Sequence, residues 1–460
     1  MADALRGRTP WKRATCSALL VTLPFAAVVW TIIALDAFPQ TRGAADQDKF
    51  HLVAIRQFIA EWPKFDVTDY ASATTPGYHI LIATVGRLIS DDLLALRLAG
   101  SMFGVGLVFT FGTLMARRTS MREGAALAAP LACSMFIVSA GAWLLTDNAG
   151  WWGVLGIMSI AFFARVRARS LALGGLALLA LVAIRQIHLW AAAMVWLAAF
   201  LGSPVEAEDG MEARGERRLV SRLSRSAVAA VATLPAFLFV GWFVKTWGGL
   251  APPTFQTPYA TTKGSLVTGG NPATVGTVLA LAGIFGVFFL GYAWPAARAR
   301  LAMARGWWGV IGVFTLLAFL ACAIPVTTYS HAEGRWTGIW DVVRRTPIVM
   351  DRSLFLIGAA TVGGAMLGLW FTALRDRDRW MFLGSFVAFL AAQAASALAW
   401  QRYYEPFLVM LFAIAAARLR DGDERNAAAG LARRIPRWAW YGPAALAALL
   451  GGVTIVAFVF

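Results

Sequence analysis

Charge is scarce in this chain. Asp, Glu, Lys and Arg supply only 14% of its 460 residues, and 59% are hydrophobic. A soluble domain of this length needs far more charge to cover its surface. Cysteine is nearly absent. Cys16, Cys133 and Cys322 each stand inside an apolar stretch, and no pair has metal-ligand spacing. That excludes a disulfide framework and a paired-cysteine zinc site, and leaves three small hydrophobes. A nucleotide-binding loop is missing as well. The glycine-rich piece Gly269-Gly270-Asn271-Pro272 lacks a preceding strand and reads as a turn. No internal repeat stands out, which weakens the expectation of a secondary transporter built from two related halves.

Long apolar runs take the place of all these. Stretches of roughly 17 to 25 residues recur, each long enough to cross a bilayer core of about 30 Å. In lipid such spans must be helices, because hydrocarbon offers backbone groups no partner. The expected fold is therefore all-α: one polytopic membrane domain over 1–460. Spans are expected near 14–35, 93–116, 123–145, 148–164, 170–185, 187–203, 226–247, 276–296, 307–327, 353–374, 380–400, 404–418 and 439–459, about thirteen in all. The basic start Met1 to Arg13 before the first run reads as a retained signal anchor. The stretch 77–90 is too short and too polar at its edges to cross, and reads as a helix lying at the surface.

The net charge of +16 raises nucleic acid as a partner, but its distribution argues against one. Arg and Lys sit in short clusters between apolar runs, such as Arg117-Arg118, Arg165/Arg167/Arg169, Arg217-Arg218, Arg298/Arg300, Arg375/Arg377/Arg379 and Arg433-Arg434. This is the positive-inside pattern, not a continuous basic face. With the N-terminus cytoplasmic, most of the basic residues fall on the cytoplasmic side. The outer side then carries the first loop (36–92), the loops 248–275 and 328–352, and the short turn 401–406. The acidic runs Glu206-Ala207-Glu208-Asp209 and Asp421-Gly422-Asp423-Glu424-Arg425 read as solvated cytoplasmic linkers.

The polar residues able to do chemistry gather on the outer face. Asp46 and Asp48 follow the first span by about ten residues, and a carboxylate at a lipid surface can act as a general base toward a hydroxyl. His51 lies three positions after Asp48. A helix starting near Asp48 would be capped by that acid, with His51 on the same face and able to orient a phosphate or the base. Thr74-Thr75-Pro76-Gly77 is a turn before a helix whose first amides can face a phosphate, and His79 follows it. Asp147, between two spans, is an ionisable group at the membrane edge and can bind a hydroxyl. Arg185 and Gln186 interrupt the long apolar stretch from Leu171 to Leu201, which reads as two spans meeting at an outer apex. The planar fork of Arg185 suits phosphate. His331, Glu333, Arg335, Trp336 and Trp340 crowd one outer loop, and Arg402, Tyr403, Tyr404 and Glu405 another. Arginine with aromatics can bind phosphate and sugar together, although Trp and Tyr are also usual at the bilayer interface. One or two carboxylates in the first loop could meet a divalent cation, but are too few to predict one.

Taken together, these stretches resemble the polytopic GT-C glycosyltransferases, which use a polyprenyl-phosphate sugar as donor. Within them the chain is most similar to the dolichyl-phosphate-glucose α-1,2-glucosyltransferase family, which adds the last glucose to the lipid-linked oligosaccharide. The matching stretches are Gln47-Asp48-Lys49-Phe50-His51, Asp69 through Thr74-Thr75-Pro76-Gly77-Tyr78, Thr146-Asp147, Arg185-Gln186, Ala332-Glu333-Gly334-Arg335 through Trp340, and Arg402-Tyr403-Tyr404 with Pro406. They occur in family order and span most of the chain. Two departures stand out. Gln47-Asp48 replaces a pair of acids, and Glu333-Gly334-Arg335 stands where the family tends toward Asp-Asn-Arg. An Ala- and Arg-rich composition points to a bacterial member working at the cytoplasmic membrane with its site outside.

The resemblance implies an inverting transfer of a sugar, glucose first, from a polyprenyl-phosphate donor to a hydroxyl of a lipid-linked glycan or another acceptor. It implies Asp48 (or Asp46) as base, Arg402, Arg335, Arg185 and His51 at the donor phosphate, and Asp147, Gln186, Glu333, Tyr403, Tyr404, Asp69 and His79 at sugar or acceptor. A transporter or flippase of a lipid-linked or anionic substrate is the competing expectation. A relative that moves mannose or arabinose is a third.

Overall fold

A computed structural model describes residues 9–202, 215–255, 270–428 and 434–459. The linker 206–209, residue Gly269 and residue Arg433 lie outside the described residues, as does much of the loop 248–275. Helix dominates. Among the described residues the only paired strands are Ile348–Val349 and Arg352–Ser353, a two-stranded hairpin turned by Met350 and Asp351 at positive φ.

Every stretch read as a span contains a helix. Among the described residues, seven helices are long and apolar enough to cross a membrane: Trp11–Ala34, Leu93–Arg118, Leu219–Trp247, Ala273–Met303, Gly306–Ala323, Leu354–Ala373 and Tyr441–Val459. An eighth crossing is possible where Met121–Ala132 and Met135–Ala142 meet at 69°. The sequence reads 123–145 as one straight span. Pro130 weakens the helix there, and Ser134 starts a new one by accepting from the Phe136 amide, so the run is bent. Shorter apolar helices, Ala168–Ile184 and Gln186–Leu201, meet at Arg185 as expected for two segments at an apex. The segment after the Pro76 turn is a helix, Gly77–Leu88. At 1.5 Å per residue it reaches about 18 Å, well short of the hydrocarbon thickness.

Two sequence expectations are corrected. The helix carrying Asp46 and Asp48 begins at Arg42, not near Asp48, and Asp48 caps nothing. It runs on through a wider π turn, Gln47–His51, into Leu52–Glu61. Second, 421–425 is not a solvated linker. It belongs to the helix Glu405–Ala428. Arg418 binds Asp378 at 2.9 Å, and Arg420 binds Glu123 at 2.8 Å. Asp423 is buried and accepts from the amides of Arg434 and Ile435. The acids are drawn inward because the buried Arg418 and Arg420 need partners.

Contacts group the chain into two compact units, each drawn from separated segments. The first comprises Met1–Ala18, Gly112–Leu131 and Lys263–Leu449. The second comprises Leu19–Phe111, Ala132–Thr262 and Leu450–Phe460. In the first unit, glycines let helices touch backbone to backbone. A Cβ at Gly363 would run into the Leu279 carbonyl, one at Gly283 into that of Ala359, and one at Gly364 into that of Phe314. Small residues at the contact are what association in lipid requires, since apolar area alone does not drive it there. In the second unit a core of Leu52, Ile55, Phe58, Tyr70, Tyr78, Ile82, Leu96, Leu144, Phe243 and Trp247 binds the Arg42–Glu61 segment to the helix Gly77–Leu88 and their neighbours.

Replacing Gly363 by Leu forces two helix backbones apart. We expect a loss of about 1–3 kcal/mol or more, read as a lower melting temperature of the detergent-purified protein. Gly358→Leu, where a Cβ meets nothing within 4 Å, is the control and should melt like wild type.

Candidate functional site

In the second unit, the polar stretches that are far apart in sequence are tied directly to one another. Gln186 is the first tie. Its Oε1 accepts from the Thr75 amide at 2.9 Å, and its Nε2 donates to the carbonyls of Ala73 and Leu250, each at 2.7 Å. The Thr75 hydroxyl donates to the Val182 carbonyl at 2.6 Å, and Gly77 sits so close to Ala183 that no Cβ fits. The Thr-Thr-Pro-Gly turn is thus fixed to the apex at 185–186. Tyr70 closes the same turn, its buried hydroxyl donating to the Thr74 carbonyl at 2.6 Å.

The second tie is a histidine pair. His51 Nδ1 and His79 Nε2 lie 2.9 Å apart with nearly parallel rings. His79 is fully buried beside Tyr70 and Tyr78, and its Nδ1 has no partner among the described residues. Burial, and then the neighbouring His51, hold its pKa well below the usual histidine value. A buried bare lone pair costs less than a buried unpaired N–H. The favoured tautomer therefore has His79 Nε2–H donating to His51 Nδ1, which leaves the His51 proton on Nε2.

Gln47 is the third tie, and it was visible in the sequence only as a missing acid. It is fully buried. Its Oε1 accepts from Arg97 Nε at 2.9 Å and from the Leu144 amide at 3.3 Å, which turns its Nε2 toward Asp48, 2.9 Å away. Arg97 also binds Asp36 at 2.5 Å. Neither Arg97 nor Asp36 was among the expected site residues. The available signal was a lone arginine in the first turns of an apolar span, where it needs partners. Asp48 itself is exposed, whereas Asp46 is half-buried.

Asp147 and Arg185 form an ion pair at 2.6 Å with side-chain exposures of only 11% and 7%. His188, also not expected, packs edge-on to Trp151 with its ring centroid 4.8 Å away. Gly150 leaves room for it, since a Cβ there would lie 2.9 Å from His188 Nε2. Asp69 holds the Thr254 amide at 2.8 Å and its hydroxyl at 2.5 Å, so it anchors a loop.

In the first unit, two loops that look separate in the sequence form one structure. Trp340 donates to the Ala399 carbonyl at 2.6 Å, and Gln401 accepts from the Ile339 amide at 2.8 Å while donating to Glu405 at 2.6 Å. Arg335 is buried, donates to the Val326 carbonyl at 3.0 Å, and pairs with the exposed Glu333 at 2.5 Å. Burial lowers its pKa and the Glu333 charge opposes that. Trp336 stacks on His331 and meets Trp400 edge-on. The Arg402 guanidinium lies over Trp400 at 4.6 Å and Tyr403 at 4.9 Å, and donates to the Tyr403 hydroxyl at 2.9 Å. Tyr404 is fully buried, with its hydroxyl on Leu398 and Thr274. The result is an aromatic ledge with a cation on it.

The described residues include no group of three or more His, Cys, Asp or Glu able to hold a metal ion. No family model, curated protein or solved structure matches the chain.

The His79 pKa makes stability depend on pH. The unfolded chain takes up a proton near pH 6.5 and the folded one does not. Stability from this group is therefore complete above about 6.5 and falls, by about 1.4 kcal/mol per pH unit at most, as pH drops below it. Melting curves at pH 7.5 and 5.5 should show that loss in wild type, and His79→Leu should lessen it.

Proposed function

We propose that the chain is an inverting glycosyltransferase of GT-C type, with about thirteen spans that count the shorter helices. On this reading it lies in a bacterial cytoplasmic membrane with its N-terminus cytoplasmic. It moves a sugar, glucose in the first instance, from a polyprenyl phosphate to an acceptor hydroxyl on the outer face.

The observation that supports this most is the convergence within the second unit. The stretches 47–51, 69–79, 147 and 185–186 carry the family resemblance, and hydrogen bonds, a histidine pair and an ion pair knit them to one another or to shared neighbours. Packing alone does not ask four separated polar stretches of an apolar unit to meet.

Asp48 is the base we assign, ahead of Asp46, because its carboxylate is exposed and oriented by the buried Gln47. It takes the proton of the acceptor hydroxyl. The freed oxygen attacks the anomeric carbon of a β-linked sugar as the bond to the phosphate oxygen breaks. Inversion leaves an α-linkage, and polyprenyl phosphate departs. Charge growing on the phosphate needs cations. Arg185 is the candidate within the unit that holds Asp48; the resemblance also implies Arg335 and Arg402, which belong to the first unit. The ledge of Trp336, Trp400 and Tyr403 is the surface we assign to sugar or prenyl recognition.

Purified protein in proteoliposomes with radiolabelled polyprenyl-phosphate glucose and a lipid-linked acceptor should form a glycosylated product. Asp48→Asn should lower kcat by about 10²–10⁴ with KM little changed, as for loss of a general base. Full activity in an Asp46→Asn, Asp48→Asn double variant would rule out the base assignment. Flux of the labelled lipid without any product would favour a transporter.

A further inference from the structure

We propose that the first unit carries a second phosphate site, for the headgroup of an anionic phospholipid, built from Arg300, Arg375, Arg379 and Arg434. It uses none of the residues assigned above to sugar transfer.

Arg300 lies in the last turn of the helix segment Leu290–Met303. One nitrogen, Nη1, donates to the carbonyls of Thr372 and Leu374 at 2.6 and 2.5 Å, where the helix Leu354–Ala373 ends. These are acceptors with no partner inside their own helix. The bonds fix the guanidinium in place and leave its other edge uncommitted among the described residues. Arg379 is held differently. Its guanidinium lies over Trp307 at 4.8 Å and Phe371 at 5.4 Å, and its Nε is buried with no hydrogen-bond partner among the described residues. Arg375 is exposed at the start of the helix Asp376–Ala394. Arg434 is exposed, with its backbone amide pinned to Asp423 at 2.8 Å.

Arg375 directly follows Leu374, whose carbonyl Arg300 holds, and Arg379 lies over Phe371 in the turn just before it. Arg379, Arg375 and Arg434 all oppose the charge of Arg300, and Asp376 is the one carboxylate that favours it. The other nearby acids are already in use. Asp378 and Asp421 pair with Arg418, and Asp423 with Arg420 and the chain at 434–435. Four guanidinium groups against one carboxylate is an arrangement that a bound anion stabilises. The planar fork of Arg selects phosphate geometry.

The surroundings point to lipid. Trp308, Trp380 and Trp438 stand on the same segments and expose half or more of their surface. Tryptophan in that state is characteristic of headgroup depth. Basic pockets between helices at that depth take up anionic headgroups.

The full chain, purified in a neutral detergent and stripped of lipid, is mixed with equal amounts of dioleoyl phosphatidylglycerol and dioleoyl phosphatidylcholine. Native mass spectrometry then reads what stays bound. We expect phosphatidylglycerol to be retained about tenfold over phosphatidylcholine, and to raise the melting temperature. Arg375→Gln with Arg379→Gln should abolish the preference. So should Arg375→Glu alone, a change at an exposed position that does not threaten folding. Arg56→Gln with Arg87→Gln removes the same charge from exposed positions of the other unit and should leave it intact. Equal retention by wild type and both cluster variants overturns the site, as does equal loss in the Arg56/Arg87 control. Displacement of the lipid by millimolar inorganic phosphate overturns the lipid assignment in favour of a free-phosphate site.

Discussion

Hydrocarbon does not hydrogen-bond, and nearly everything in this chain answers to that fact. It obliges apolar segments to be helices, because only there does each backbone group find its partner within the segment. It also removes the usual reason for helices to associate, since lipid solvates Leu as well as another helix does. Gly283, Gly363 and Gly364 respond by letting backbones meet, trading side-chain volume for close contact. Polar residues left in such a chain must find one another. That is why Arg185 holds Asp147, Arg97 holds Gln47 and Asp36, and Arg420 holds Glu123.

The pairs buried on both sides, Arg185–Asp147 and Arg420–Glu123, position other groups more than they stabilise the fold. A buried ion pair recovers little beyond its desolvation, but it holds its partners in fixed places. Gln47 illustrates this. An acid in its position would have to share Arg97 with Asp36 and would face Asp48 as a like charge. The neutral amide instead accepts from Arg97 on one side and donates to Asp48 on the other. A carboxylate at the surface is thereby tied to the buried end of a membrane helix. The glutamine, which departs from the pattern of the family the sequence resembles, works as a support in the structure.

The fold was largely legible because a span needs only length and hydrophobicity, and both are local. The predominance of apolar helices, the break at Arg185 and the short helix after Pro76 followed from the order of residues. The π turn at Gln47–His51 did not, since it depends on what the side chains on that segment meet. The bend near Ser134 was carried by Pro130 and Ser134, but a window of mean hydropathy averages both away. The helical run through Asp421–Arg425 was missed for a related reason. Its composition is that of a solvated linker, and only Arg418 and Arg420, one turn earlier and buried, draw it inward.

Within the candidate site the chain alone determined which residue types were costly enough in lipid to require a purpose: Asp147, Arg185, the acids of the first loop, and the arginines with tyrosine and tryptophan. Tertiary structure decided what each of them does. It committed Asp69 to Thr254 and Tyr404 to the interior, left Asp48 exposed, and joined His51 to a wholly buried His79. The physical reason is that cost in lipid belongs to the residue, whereas a partner belongs to the place where separate helices meet. Hydropathy is additive along a chain and can be read from it. Hydrogen bonds between stretches a hundred residues apart, such as Thr75 to Gln186, exist only once the chain has packed.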